Sequence, residues 1–203
     1  MTSPPPRRRT MTRTLQGALA PHRRAAHVSV GAVLSQLGGA SFGWAMLVFA
    51  LLNMIPAPYG SSLITSLPLL WITGQMALGR HHLSLPGPIA RRRLPVTAVR
   101  KLLIRLRRLL RPLERILRPR AETIFLHRHQ RALGSALFAV SVALFIPLPF
   151  SGIIPAFTLL LSALALIERD GLLMRVALGI GAAAVTVTAT VAGLLIHGLQ
   201  DLI

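Results

Sequence analysis

Apolar positions in this chain gather into runs too long for the stripe of a soluble amphipathic helix, and the runs break at prolines. "FGWAMLVFALLNMI" covers 42–55, "PAPYGSS" interrupts it, and "LITSLPLLWITGQMALG" resumes over 63–79. A second pair follows, "ALGSALFAVSVALF" and "AFTLLLSALALI", divided by "IPLPFSGIIP" at 146–155. The last run, "VALGIGAAAVTVTATVAGLLI" over 176–196, is unbroken. Each run predicts a helix. A hydrocarbon core of ~30 Å needs about 20 helical residues. The arms of the first pair, roughly 14 and 17 residues, reach only about 21 to 26 Å. Either such a pair crosses a thinned membrane twice, or it is a re-entrant hairpin whose turn lies at depth and is covered by protein.

The two pairs can be laid on one another. Ile55-Pro56 falls over Ile146-Pro147, Pro58 over Pro149 and Tyr59 over Phe150, and after a gap of about four residues Leu67-Pro68 falls over Ile154-Pro155. The shared order predicts an internal repeat, with one copy at about 41–80 and the other at about 132–171. Proline removes a donor, and an unpaired peptide group in lipid costs several kcal/mol. The breaks therefore demand compensation. Pro56, Pro58, Tyr59, Gly60 and Ser61 in the first copy, and Pro147, Pro149, Ser151, Gly152 and Pro155 in the second, are candidates for a substrate path of the kind built from paired broken helices. A plain turn at the membrane surface is the alternative reading. In the final span, about 174–198, Gly179, Ala183, Thr186, Thr190 and Gly193 recur on one face and predict close packing against another helix, within the chain or across a homodimer.

Charge sharpens the picture. Apolar residues are 53% of the chain and charged residues 14%, yet the formal charge is +18. It is concentrated in the first 24 residues and between Arg80 and Arg131. That distribution reads as positive-inside loops of a membrane protein, with the tail and the middle cytoplasmic, rather than as nucleic-acid binding. Residues 1–27 read as a basic, disordered cytoplasmic tail, and 28–203 as a single helical membrane domain. A short interfacial helix is expected over 28–37. In the middle, "VRKLLIRLRRLLRPLERILR" sets leucines at spacings of three and four against Arg100, Lys101, Arg105, Arg107, Arg108, Arg111 and Arg115. This predicts an amphipathic helix over about 96–119. It lies on anionic lipid headgroups, or it packs on the protein's own membrane domain or a symmetry mate.

Catalytic chemistry finds little to work with. There is no cysteine, no phosphate-binding loop and no carboxylate pair spaced for a metal. His81-His82 and His127-x-His129 lack carboxylate partners. No catalytic residue, metal or cofactor is expected, and the chain does not read as an enzyme. "ERDG", Glu168, Arg169, Asp170 and Gly171, reads as a charged helix end with Gly171 as the turn; the functional alternative is an ion or proton site, or an anchor for the last span. Asn53 and Gln75 are expected to bond to neighbouring helices.

The run "FIPLPFSGIIPAFTLLLSALALIERDGLL", with "FGWAMLVFALLNMIPAP" and a basic middle, resembles the ExoD family of bacterial membrane proteins associated with exopolysaccharide synthesis. The likeness covers about 28–198, and Pro147, Pro149, Pro155, Glu168, Arg169, Asp170 and Gly171 match its motifs; Met174-Arg175 departs from them. The resemblance implies a multi-pass inner-membrane protein linked to exopolysaccharide production. The expected function is transport or membrane handling of a polysaccharide precursor, lipid or ion. The alternative is a non-transporting scaffold that recruits synthesis enzymes through its basic helix. Expected partners are the bilayer, a second copy and exopolysaccharide synthesis proteins, without nucleic acid.

Overall fold

The structure, a computed structural model, describes residues 27–29, 40–54, 61–80, 82–84, 87, 91, 93–95, 127–146 and 152–200. The chain divides into two units, Met1–Gly38 with Leu85–Arg118, and Gly39–Ser84 with Pro119–Ile203. In the first unit, β1 (His27–Ser29) pairs antiparallel with β2 (Arg93–Pro95), with Val28 opposite Leu94. The helix expected to begin at residue 28 is thus replaced at its start by a strand. The cause is a long-range pairing, and β-branched Val28 and the proline after Leu94 suit the extended backbone that it uses. Residues 30–37, and the whole of the expected basic helix with Arg100, Lys101, Arg105, Arg107, Arg108, Arg111 and Arg115, lie outside the described residues.

All five described helices belong to the second unit: α1 (Ser41–Asn53), α2 (Ser61–Ala77), α3 (His127–Phe145), α4 (Ile153–Glu168) and α5 (Gly171–Gln200). Prolines set several of their limits. α1 stops two residues before the residue that precedes Pro56, and α3 stops at Phe145, two before Pro147. Pro155 is the third residue of α4, where a helix has no use for the missing N–H. Pro68 is different, for it lies inside α2 and leaves the Ile64 carbonyl without its helical donor. The neighbouring carbonyl, that of Thr65, takes a bond from Asn53 Nδ2 at 3.0 Å, and the Thr65 hydroxyl donates to Asn53 Oδ1 at 2.8 Å. Asn53 therefore ties the end of α1 to the weakened stretch of α2. Gln75 acts likewise on the chain leaving α2: its amide donates to the Ser84 carbonyl and accepts from the Ser84 N–H, both at 2.8 Å.

α1 packs on α4 and α2, α2 on α3, and α5 on α4 and α3. Helices adjacent in sequence run antiparallel, so α3 and α5 run the same way. A Cβ on Gly43, near the start of α1, would lie 2.7 Å from Ile167 Cγ1 and 3.2 Å from the Ala163 carbonyl, near the end of α4. A Cβ on Gly134, in α3, would collide with the backbone of Met76 and Ala77 at the end of α2. Leu83 N is 3.5 Å from the Ser41 hydroxyl, so the exit of α2 returns to the entrance of α1. The helix ends at 41–43, 76–84, 127–134 and 163–171 thus share one end of the unit. The described flanks of both breaks, Asn53 with Ser61 and Ile146 with Gly152, lie at the other.

Side-chain polarity runs inward. Ile64, Leu67 and Trp71 of α2, Leu78 just after it, Phe138 and Val142 of α3, and Val176, Val187, Leu194 and Leu195 of α5 are exposed. Ser66, Thr73, Gln75, Ser141, Thr158, Ser162 and Thr188 are buried. The buried hydroxyls mostly bond back to their own helix, as Thr158 does to the Ile154 carbonyl at 2.9 Å. Thr73 and Ser141 also bond across α2 and α3, at 3.1 Å.

Candidate functional site

The flanks of the two breaks are Asn53 and Ser61 on one side, and Ile146, Gly152 and Pro155 on the other. Ser61 opens α2, Gly152 precedes α4, and Pro155 is buried in the first turn of α4. Pro56, Pro58, Tyr59, Gly60, Pro147, Pro149 and Ser151 lie outside the described residues. The two flanks are not chemically alike. Asn53 and Thr65 hold the first with hydrogen bonds, whereas a Cβ on Gly152 would touch Leu144 Cδ1 at 3.6 Å, an apolar contact.

At the opposite end "ERDG" makes the tight connection from α4 to α5. Arg169 adopts φ 54°, ψ 39°, and its N–H and that of Asp170 both reach back to the Ala165 carbonyl. The left-handed residue is therefore Arg169, and the expectation that Gly171 supplies the turn is corrected: Gly171 is the first, buried residue of α5. The reason is the cap. Asp170 Oδ1 accepts from the N–H groups of Leu172 at 3.0 Å and Leu173 at 3.1 Å, which fixes Asp170 just before the helix and puts the reversal one residue earlier. A carboxylate there also meets the positive end of the α5 dipole. Glu168 closes α4.

α5 runs back antiparallel to α4, and a Cβ on Gly181 would meet Val140 Cγ2 at 2.8 Å and Thr158 Cγ2 at 2.9 Å. Its buried side is Met174, Ala177, Gly181, Ala184 and Thr188. The face of Gly179, Ala183, Thr186, Thr190 and Gly193 is not the one packed within the chain, and Gly179 and Gly193 have nothing within 4 Å of a Cβ. The sequence has small residues on both sides of α5, so their spacing alone did not choose between the two. After Thr188 no described residue of α5 is buried. Among the described residues, Gly171–Leu195 is the one helix long and apolar enough to cross a membrane by length and composition. Sequence reasoning also passed over Gly43, Gly134 and Gly181 as contact points; the signal available was that Gly43 and Gly134 fall on one another when the two halves are aligned. Among the described residues no three His, Asp or Glu side chains are grouped to hold a metal.

The family model described as "Exopolysaccharide synthesis, ExoD" matches residues 11–190. The chain belongs to the ExoD family. The match spans all of α1 to α4 and most of α5, so in this ExoD-family chain both hairpins and the capped turn at Asp170 are family territory. No curated protein and no solved structure matches the chain.

Proposed function

We propose that the helical unit lies in the bacterial inner membrane with its charged end at the cytoplasmic surface, and that its two hairpins are re-entrant halves of an internal repeat. In this reading they handle a lipid, ion or polysaccharide precursor at depth during exopolysaccharide synthesis. One observation carries the proposal, the register of α4 against α5. The uncharged stretch 176–196 is about 31 Å long, the thickness of a hydrocarbon core. Gly181 lies opposite Thr158, so Ile153, where α4 starts, is level with about residue 186, some 15 Å from Val176. The break before α4 then falls near the middle of the bilayer, not at its far surface. Broken helices meeting at the midplane are the arrangement in which transporters bind substrate.

The exterior supports this placement, since large apolar side chains face outward and small hydroxyls inward. The contacts support the repeat. Exchanging the halves turns the α1–α4 pair into α3–α2, and the glycine at each crossing, Gly43 or Gly134, is the same position of the repeat. Arg80, Arg131, Arg169 and Arg175 all stand at or within a turn of the end shared by residues 41–43, 76–84, 127–134 and 163–171, which the positive-inside rule assigns to the cytoplasm. The uncovered small-residue face of α5 is the surface on which the expected second copy fits.

The test is reconstitution of the purified chain into liposomes carrying a fluorescent phospholipid, with transbilayer movement read by dithionite quenching. The expected result is movement several-fold faster than in empty vesicles, reduced by Pro149→Ala. Equal rates with and without protein overturn transport of lipid, and the scaffold reading then predicts that neutralising Arg105, Arg107, Arg108 and Arg111 abolishes recruitment of synthesis proteins.

A further inference from the structure

We infer that the outer face of α2 is a binding site for a lipid with a phosphate headgroup, its phosphate on Arg80 and Arg131 and its chain along Leu78, Trp71, Leu67 and Ile64. The site rests on the membrane placement above. Gly79 takes φ +77°, and the Arg131 side chain crosses directly over it, since a Cβ there would sit 2.6 Å from Arg131 Nε. Gln130 Nε2 donates to the Arg80 carbonyl at 3.0 Å. The first turns of α3 thus bring Arg131 beside Arg80 at the exit of α2. Both arginines are exposed, and among the described residues neither has a carboxylate partner. Two exposed guanidinium side chains carried by neighbouring backbone are complementary to a phosphate, which they can hold with bidentate, charge-assisted bonds.

Directly below, Leu78, Trp71, Leu67 and Ile64 are spaced by seven, four and three residues; the last three share one face of α2, and Leu78, whose N–H still bonds the Gly74 carbonyl at 3.0 Å, extends that face past its end. The strip is about 21 Å long and runs from the arginines toward the break. Leu78 is 72% exposed, Trp71 53% and Ile64 74%. Trp71 is held in place by its Nε1, which donates to the Ser84 carbonyl at 3.2 Å. The same face in the other half of the repeat is occupied. Trp71 corresponds to Thr158 and Leu78 to Ala165, both fully buried, the first against Gly181 of α5 and the second beneath the turn into it. The first half has no described helix in that place, and its face carries large side chains where α4 carries small ones. An anionic amphiphile matches both the cationic head of the strip and its apolar length.

The test is native mass spectrometry of the detergent-purified full chain with dioleoyl phosphatidic acid, dioleoyl phosphatidylcholine, or inorganic phosphate as competitor. The expected result is one retained phosphatidic acid per chain, with retention about tenfold weaker in Arg80→Ala, partly kept in Arg131→Lys and unchanged in Arg175→Ala, an exposed cation on α5. Trp71→Ala should weaken retention without altering the headgroup preference. Four results overturn the inference: phosphatidylcholine held as well as phosphatidic acid, Arg175→Ala as damaging as Arg80→Ala, no effect of Arg80→Ala, or displacement by equimolar inorganic phosphate with Trp71→Ala silent. The last outcome assigns the arginines to a free anion. Arg80 is exposed, so its variant tests the site without relying on a residue that the fold needs. Loss of lipid retention in a protein whose helices still insert to the depths stated below would remove this site alone.

Discussion

Gly134→Ala is expected to lower the stability of the helical unit by about 3 kcal/mol, at the upper end of what overpacking costs. The added methyl would collide with the backbone of Met76 and Ala77, and backbone cannot rotate away as a side-chain tip can. α2 and α3 would have to separate, which also lengthens the Thr73–Ser141 bond. Gly43→Ala should cost less, about 1 to 2 kcal/mol, because the nearest atom is on the Ile167 side chain and the Ala163 carbonyl is farther away. Gly198→Ala, in the last turn of α5, is the control: nothing lies within 4 Å, so the change should be neutral or gain up to about 1 kcal/mol in helix propensity. Thermal unfolding of the three variants in one detergent measures the order directly. A Gly134→Ala protein as stable as Gly198→Ala would mean that α2 and α3 do not approach as described.

The second large effect is expected at Asp170. Its side chain is 6% exposed, and one oxygen accepts from two N–H groups of α5. Asp170→Ala should cost about 1 to 2 kcal/mol, the usual worth of a helix cap. Asp170→Asn keeps an acceptor oxygen and should recover most of that loss. The pair separates a cap from an ion or proton site. A cap predicts that stability follows the acceptor and that lipid movement in Asp170→Asn stays near the parent. Lipid movement abolished in a stable Asp170→Asn protein would instead establish the carboxylate as a functional charge.

The hairpins were legible because lipid, or a core that resembles it, leaves two strong traces in a sequence: apolar runs of definite length, and prolines that helices cannot absorb. α1 and α3 end within a few residues of the prolines that follow them, and α5 begins at the charged cluster. The capped turn was legible in its charges but not in its geometry. Glycine is the ordinary left-handed residue, yet the two bonds to Asp170 place the reversal at Arg169. The strand at His27–Ser29 was missed because its partner lies more than sixty residues away, and three residues of local propensity cannot report a distant pairing. The packed face of α5 was missed for a related reason. Small residues permit close approach on either side, and only the neighbours Val140 and Thr158 decide which side is used.

The depth of the hairpin tips is the most direct test of the account. The chain has no native cysteine, so spin labels at Leu172→Cys, Val187→Cys and Leu194→Cys, all exposed on α5, give a depth scale against which a label at Gly152→Cys can be read in bilayers. The residue 152 position tolerates a side chain, since its Cβ would make only an ordinary contact with Leu144. Power-saturation measurements with oxygen and a water-soluble nickel complex should place residue 152 beside residue 187, about 15 Å inside the membrane, with 172 at one surface and 194 near the other. A label at residue 152 that reports the depth of residue 194 would contradict re-entrant hairpins and make the breaks surface turns between complete crossings.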